Sequence, residues 1–243
     1  MFFSMSEKFS ICVATGTRAE YGLLRPVMKK IAESDDLDLQ IITTGSHLSK
    51  EYGDTYQEIE QDGFEISQKI ETLSSSNSHL GIAHSMSLCL NGVVQALDDL
   101  MPDLVLVLGD RYEMFSVAQA AMLSRIPIAH VCGGDVAYGT YDNIIRHCIT
   151  KMASLHFVTH DKAYRRVIQL GEDSEKVYCV GSTCVDNINT LNLLDRESLA
   201  RSLGISFRKD IFVVTFHPLT MGESTGRPEL YALLSVIDNR LSR

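Results

Sequence analysis

Two apolar runs in this chain break into glycine followed by ionisable side chains. Val105-Leu106-Val107-Leu108 runs into Gly109-Asp110-Arg111-Tyr112-Glu113, and Ile126-Pro127-Ile128-Ala129 runs into His130-Val131-Cys132-Gly133-Gly134-Asp135. Asp142, Arg146 and His147 follow within a few residues. Acids, bases and cations this dense at the ends of consecutive strands suit polar chemistry on an anionic ligand. In an open parallel sheet, ligands sit at the carboxyl ends of the strands, because the packed sheet and helices hold the loops there rigidly. Thr15-Gly16-Thr17-Arg18 has a similar form, a strand end entering a helix, where backbone N–H groups and Arg18 would cradle a phosphate.

Each of these features has a plainer alternative. Asp110 with Arg111 suits a structural ion pair or a helix cap. His130 suits a satisfied core histidine, Asp142 a cap on the helix it begins, and Arg146 with His147 a solvated helix face. Glycine is common in strand-to-helix turns, and pairs such as Gly133-Gly134 are common in loops. Cys132 has no base near it in sequence and reads as a small buried hydrophobe rather than a nucleophile.

The elements that must hold these side chains alternate in type. Strand-like runs at 9–14, 37–43, 64–66, 104–108, 126–131, 155–159 and 177–180 are separated by helix-like runs at 23–33, 55–61, 79–100, 113–124, 142–153 and 161–169. Ser78 is placed to cap the long run 79–100. Strands joined by crossover helices predict an α/β fold, a doubly wound, Rossmann-like parallel sheet. Beyond residue 180, 195–203 and 227–241 read as helices, and 211–216 reads as a strand entering His217-Pro218. One βα unit cannot bury both faces of a new sheet. The expected division is therefore a Rossmann-like domain over 1–180, a connector over 181–206, and over 207–243 the first βα unit of a truncated second Rossmann-like domain.

Composition narrows the classes of function. Of 243 residues, 45% are hydrophobic and 22% charged, which supplies a well-filled core. Lys plus Arg total 22 against 31 acids, a net charge of −9, which argues against nucleic-acid binding. Six cysteines without a CxxC pair read as reduced thiols of a cytoplasmic protein. The start lacks a basic segment leading an apolar one, and no window reaches the roughly eighteen apolar residues of a membrane span, so neither secretion nor a membrane is expected. No metal and no cofactor is expected.

Taken in order, Thr17-Arg18-Ala19-Glu20-Tyr21, Gly45-Ser46-His47-Leu48, Tyr52-Gly53-x-Thr55-Tyr56-x-x-Ile59-Glu60, Gly109-Asp110-Arg111, His130-x-x-Gly133-Gly134, Asp142-x-x-x-Arg146-His147-x-x-Thr150-Lys151 and Phe216-His217-Pro218 resemble the hydrolysing UDP-N-acetylglucosamine 2-epimerases of sialic and legionaminic acid biosynthesis. The resemblance covers nearly the whole chain. Its Gly-Asp-Arg and Arg-His-x-x-Thr-Lys elements separate this branch from the non-hydrolysing 2-epimerases. It implies a glycosyltransferase-B-like pair of domains with the nucleotide sugar in the cleft between them, the second domain being truncated here. It also implies a reaction: UDP is eliminated as the proton on sugar carbon 2 is removed, a glycal forms, and water adds with the opposite configuration to give an N-acetylmannosamine-type sugar. Such chemistry needs a base and an acid on different faces of the ring, and charge stabilisation for the departing diphosphate.

Carried over by motif, Asp110, Asp142 and His217 are the implied catalytic residues. Arg18, His47, Arg111, His130, Arg146, His147 and Asp186 are the implied substrate-binding ones. The implied partners are a UDP-sugar and a second copy in a homodimer. The alternatives are a UDP-2,4-diacetamido sugar as substrate, an inactive truncated homologue, or a UDP-sugar binding module. Two departures stand out. Where several relatives carry glutamate two residues after the histidine of His-x-x-Gly-Gly, this chain has Cys132, and a neutral thiol is a poor carboxylate substitute. That role is either moved, to Asp135 or Glu113, or lost. The family's serine and glutamate contacts to UDP would lie beyond Arg243.

Overall fold

The computed structural model describes residues 8–74, 78–207, 211–217 and 226–241. From the N-terminus, β1 (Phe9–Thr15), α1 (Arg18–Ala32), β2 (Leu37–Thr44), α2 (Tyr56–Gln61), β3 (Gln68–Ile70) and α3 (His79–Leu100) make the first half of a doubly wound unit. The second half is β4 (Leu104–Leu108), α4 (Tyr112–Leu123), β5 (Ile128–Val131), α5 (Asp142–Met152), β6 (Leu155–Val158), α6 (Asp161–Gln169) and β7 (Val177–Cys179). Helices α7 (Thr183–Thr190), α8 (Arg196–Leu203) and α9 (Arg227–Leu241) follow. The seven strands lie in the order β3-β2-β1-β4-β5-β6-β7, and every pairing is parallel. The order reverses between β1 and β4, and the strand ends there open the crevice of an α/β fold.

Both faces of the sheet are buried, which is why β4 reads as unbroken Leu and Val rather than an alternation. Val105 and Val107 pack with α3, α4 and α5, while Leu106 and Leu108 pack with Tyr21, Leu24 and Met28 of α1 on the other side. Helix ends follow their caps: Ser78 accepts from the Gly81 amide at 3.2 Å, and Asp195 accepts from the Ser198 amide at 2.7 Å.

Three expectations differ from the structure. The short strand lies at Gln68–Ile70 rather than 64–66. Phe64 and Ile66 instead pack against the α1-side core, and contact with β2 starts with the Ser67 amide on the Ile41 carbonyl at 2.9 Å. Helix α3 is, by length and composition alone, apolar enough to cross a membrane. Its Cys89, Val93, Ala96 and Leu97 are buried in the core, which accounts for that apolarity. Residues 211–217 form no strand, and Phe212 and Val213 are exposed. A strand needs a neighbour for its N–H and C=O groups, and none pairs with this segment among the described residues. Pro218 lies outside those residues.

Candidate functional site

The sheet register sets the site. Val107 pairs with His130 and Leu108 with Val131, so the chain leaves β4 and β5 side by side. The Gly109 amide donates to the Val131 carbonyl at 3.0 Å, and the Cys132 amide to the Phe157 carbonyl at 2.9 Å. Gly134 sits at φ 78°, and a Cβ there would come within 2.6 Å of the Ala163 carbonyl oxygen in α6, so only glycine fits. Cys132 also has a left-handed φ, 63°, in a turn where glycine would be at ease.

Asp110, Arg111, Asp142 and Arg146 converge here. Arg146 from α5 pairs with Asp110, donates to the Cys132 carbonyl oxygen at 2.8 Å, and lies 3.8 Å from Asp135. Its side chain is 12% exposed and that of Asp110 21%, so the pair is largely shielded yet reachable. Asp142 opens α5, where burial first and the negative charge of Asp110 second push its carboxyl pKa up. A carboxyl raised in this way is a candidate for proton transfer. Arg111, at the start of α4, is held by Glu113 through two hydrogen bonds.

The other proposed residues lie elsewhere. His130 is fully buried: Nε2 faces the Gly109 carbonyl at 2.8 Å and so carries the proton, while Nδ1 faces Thr150 Oγ1 at 3.2 Å. Burial pushes its pKa down to about 3. Its plain reading therefore holds geometrically: it supports the Asp110 loop from below. His47 is likewise buried, between Thr15 Oγ1 at 3.0 Å and Thr55 Oγ1 at 2.8 Å, with its pKa pushed down to about 4 by burial. His147, one residue on from Arg146, points away from Asp110 and lines an apolar groove against α4. Arg18 is exposed, 3.9 Å from Glu58. Asp186 is exposed on α7, whose Asn187 bonds to the Gly22 carbonyl of α1. His217 is exposed and joins no described hydrogen bond or ion pair.

The phosphate cradle expected at Thr15-Gly16-Thr17 is already filled. Glu20 accepts from the Gly16 amide at 2.8 Å and the Thr17 amide at 3.1 Å, closing a capping box with Thr17. Two residues went unnoticed in sequence: Thr159 and His160, which donate or lie close to Asp135 Oδ1 at 2.8 and 3.3 Å. They follow β6 as Asp110 follows β4, and that placement was the available signal.

Burial pushes the Cys132 thiol up to about 11, so it is neutral and supplies neither a carboxylate nor a nucleophile. Among the described residues no group of His, Cys, Asp and Glu could hold a metal ion.

The geometry can be set beside known proteins. The chain is 42% identical over 231 residues to a Campylobacter jejuni protein named GDP/UDP-N,N'-diacetylbacillosamine 2-epimerase (hydrolyzing), covering 95% of this chain and 60% of that one. It is 40% identical to the Escherichia coli polysialic acid biosynthesis protein P7, covering 93% of this chain and 58% of that one. The fold matches the crystal structure of a Neisseria meningitidis UDP-GlcNAc 2-epimerase bound to UDP-GlcNAc, with a TM-score of 0.68 at 20% identity, covering 80% of this chain and 52% of that one. The chain thus spans little more than half the length of the relatives it matches. The sequence profile described as UDP-N-acetylglucosamine 2-epimerase matches residues 29–242, and the chain belongs to that family.

Proposed function

We propose that this chain carries the first, Rossmann-like half of a hydrolysing UDP-N-acetylglucosamine 2-epimerase. Residues 207–243 are then the start of the second half and 181–206 the connector. The observation that carries this reading is the convergence of Asp110, Asp142 and Arg146 at adjoining strand ends, one carboxylate fixed by a guanidinium and the other pushed up by burial. Two carboxyls in unlike environments suit the two proton transfers, removal of the carbon-2 proton and its return from the other face. Arg111 and Arg18 supply positive charge for the diphosphate, and His217 enters from the second half. His47 and His130 act beneath the surface, holding the Thr15 and Gly109 ends.

A UDP-2,4-diacetamido sugar is the second substrate reading, favoured by the similarity to the Campylobacter jejuni protein. A cytoplasmic location fits the six free cysteines. A homodimer is supported by the apolar groove of about 720 Å³ between α4 and α5, where Met122, Leu123 and Ile144 are exposed.

The direct test is nucleotide binding by this chain. One wall of a cleft leaves the ligand hydrated, so UDP should bind only in the millimolar range, about −4 kcal/mol. Chemical-shift changes should centre on Gly109, Asp110, Arg111 and Gly133. Micromolar affinity would overturn the half-cleft reading, and changes confined to another face would overturn the site.

A further inference from the structure

Beneath the converging side chains lies a second layer of charge. Glu113, in the first turn of α4, has a side chain only 1% exposed and grips Arg111 by two bonds: Nε donates to Oε2 at 3.1 Å and Nη2 to Oε1 at 3.0 Å. Arg111 itself stays 40% exposed, so the guanidinium edge away from Glu113 remains free to meet a ligand. Glu20 of α1 is buried beside them, its Oε2 bonded to the Gly16 and Thr17 amides and its Oε1 without a partner.

Room for this layer comes from two glycines. A Cβ at Gly45, which has φ 58°, would lie 3.0 Å from Glu113 Oε1, and one at Gly16 would lie 3.3 Å from Glu113 Cβ. The other titratable groups facing Glu113 are Tyr112 beside it and Cys89 of α3, whose thiol donates to the Glu113 carbonyl oxygen at 3.7 Å. Glu20 and Glu113 both lie against Gly16, and of the two only Glu113 pairs with Arg111 among the described residues. Two carboxylates in a low-dielectric site do not both ionise readily. Burial first, and repulsion from Glu113 second, push Glu20 up to about 8.

We propose that Glu113 is a positioning residue for Arg111, fixing the guanidinium so that its outer edge meets an anionic group of the ligand. The identity of that anion, a nucleoside diphosphate, rests on the function proposed above; the positioning itself does not. A bidentate carboxylate removes the guanidinium's freedom before the ligand arrives, which favours binding through preorganisation. A carboxylate that acted only as a counter-charge would do the opposite, since deleting it would raise the local positive potential and tighten anion binding.

The experiment uses this chain with UDP as the probe. Glu113→Gln should weaken UDP binding about tenfold, as misplacement of an orienting group does. Unchanged or tighter binding overturns the proposal. Without ligand, the Arg111 Nε–H proton, assigned by its loss in Arg111→Lys, should give a slowly exchanging NMR signal that disappears in Glu113→Gln. Its persistence overturns the positioning role whatever UDP does. Absence of UDP binding by the unmodified chain would instead refute the nucleotide reading, and the Nε–H signal would then decide the positioning alone.

Discussion

The guanidinium of Arg146 pairs with the carboxylate of Asp110, thirty-six residues earlier in the chain, and so ties the first turns of α5 to the end of β4. Its second nitrogen holds the Cys132 carbonyl oxygen, so one side chain braces two neighbouring strand ends. Removing it strands a shielded carboxylate. Arg146→Ala should therefore destabilise the chain by about 3 kcal/mol, read as the shift in urea unfolding. A loss under about 0.5 kcal/mol, the range of an exposed pair, would show that the bond is not made in solution.

Under the proposed function, the proton-transfer assignment is tested in a full-length protein that carries both walls of the cleft. Asp142→Asn should lower kcat for UDP release about 100- to 10,000-fold with little change in thermal midpoint, because Asp142 makes no ion pair among the described residues. Asp110→Asn should lower kcat comparably and also cost stability through Arg146. Cys132→Ala should leave most of the turnover, since its thiol is neutral. Near-normal turnover by Asp142→Asn, or a loss in Cys132→Ala as deep as that of the aspartates, would refute the assignment.

Buried histidines set the acid limit. His47 and His130 have folded pKa values of about 4 and about 3, below the unfolded value near 6.5. The unfolded chain therefore binds protons first, and stability falls as pH drops from about 6.5 toward 4 and 3, at up to about 1.4 kcal/mol per pH unit for each histidine. Glu20 works the other way: its raised folded pKa stabilises fully below about 4.5, and that contribution is lost as pH rises to about 8. Unfolding measured from pH 4 to 8 should show a decline below pH 6 that is shallower in His130→Gln. A slope unaltered by that change would contradict a neutral His130.

Self-association is expected through the groove between α4 and α5. Met122→Glu with Ile144→Glu places charge on two exposed apolar side chains there, and should convert a dimer to a monomer by light scattering without altering the fold. A dimer that survives the double change uses another face.

Much of the fold could be read along the chain because its determinants are local. Ser78, Asp195 and the Thr17–Glu20 box cap helices within three residues of themselves, and the Val-Leu run of β4 announces a strand buried on both faces whatever its neighbours are. The strand-end rule likewise pointed to Asp110, Arg111 and Asp142. What the sequence could not settle was which polar atoms meet across the sheet. Arg146 and His147 are adjacent, yet one reaches Asp110 and the other lines the α4–α5 groove, because successive helix residues point about 100° apart and only packing decides which faces the site. His47 and His130 have ordinary ligand chemistry until burial and two protein partners each occupy their nitrogens. Glu20 and Glu113 are 93 positions apart, and residues 211–216 look like a strand by composition. Long-range approach put the first two against the same glycine, Gly16, and the last segment finds no neighbouring strand among the described residues. Charge sharing and β pairing are properties of the partners that the fold brings together, and no single stretch of chain contains both.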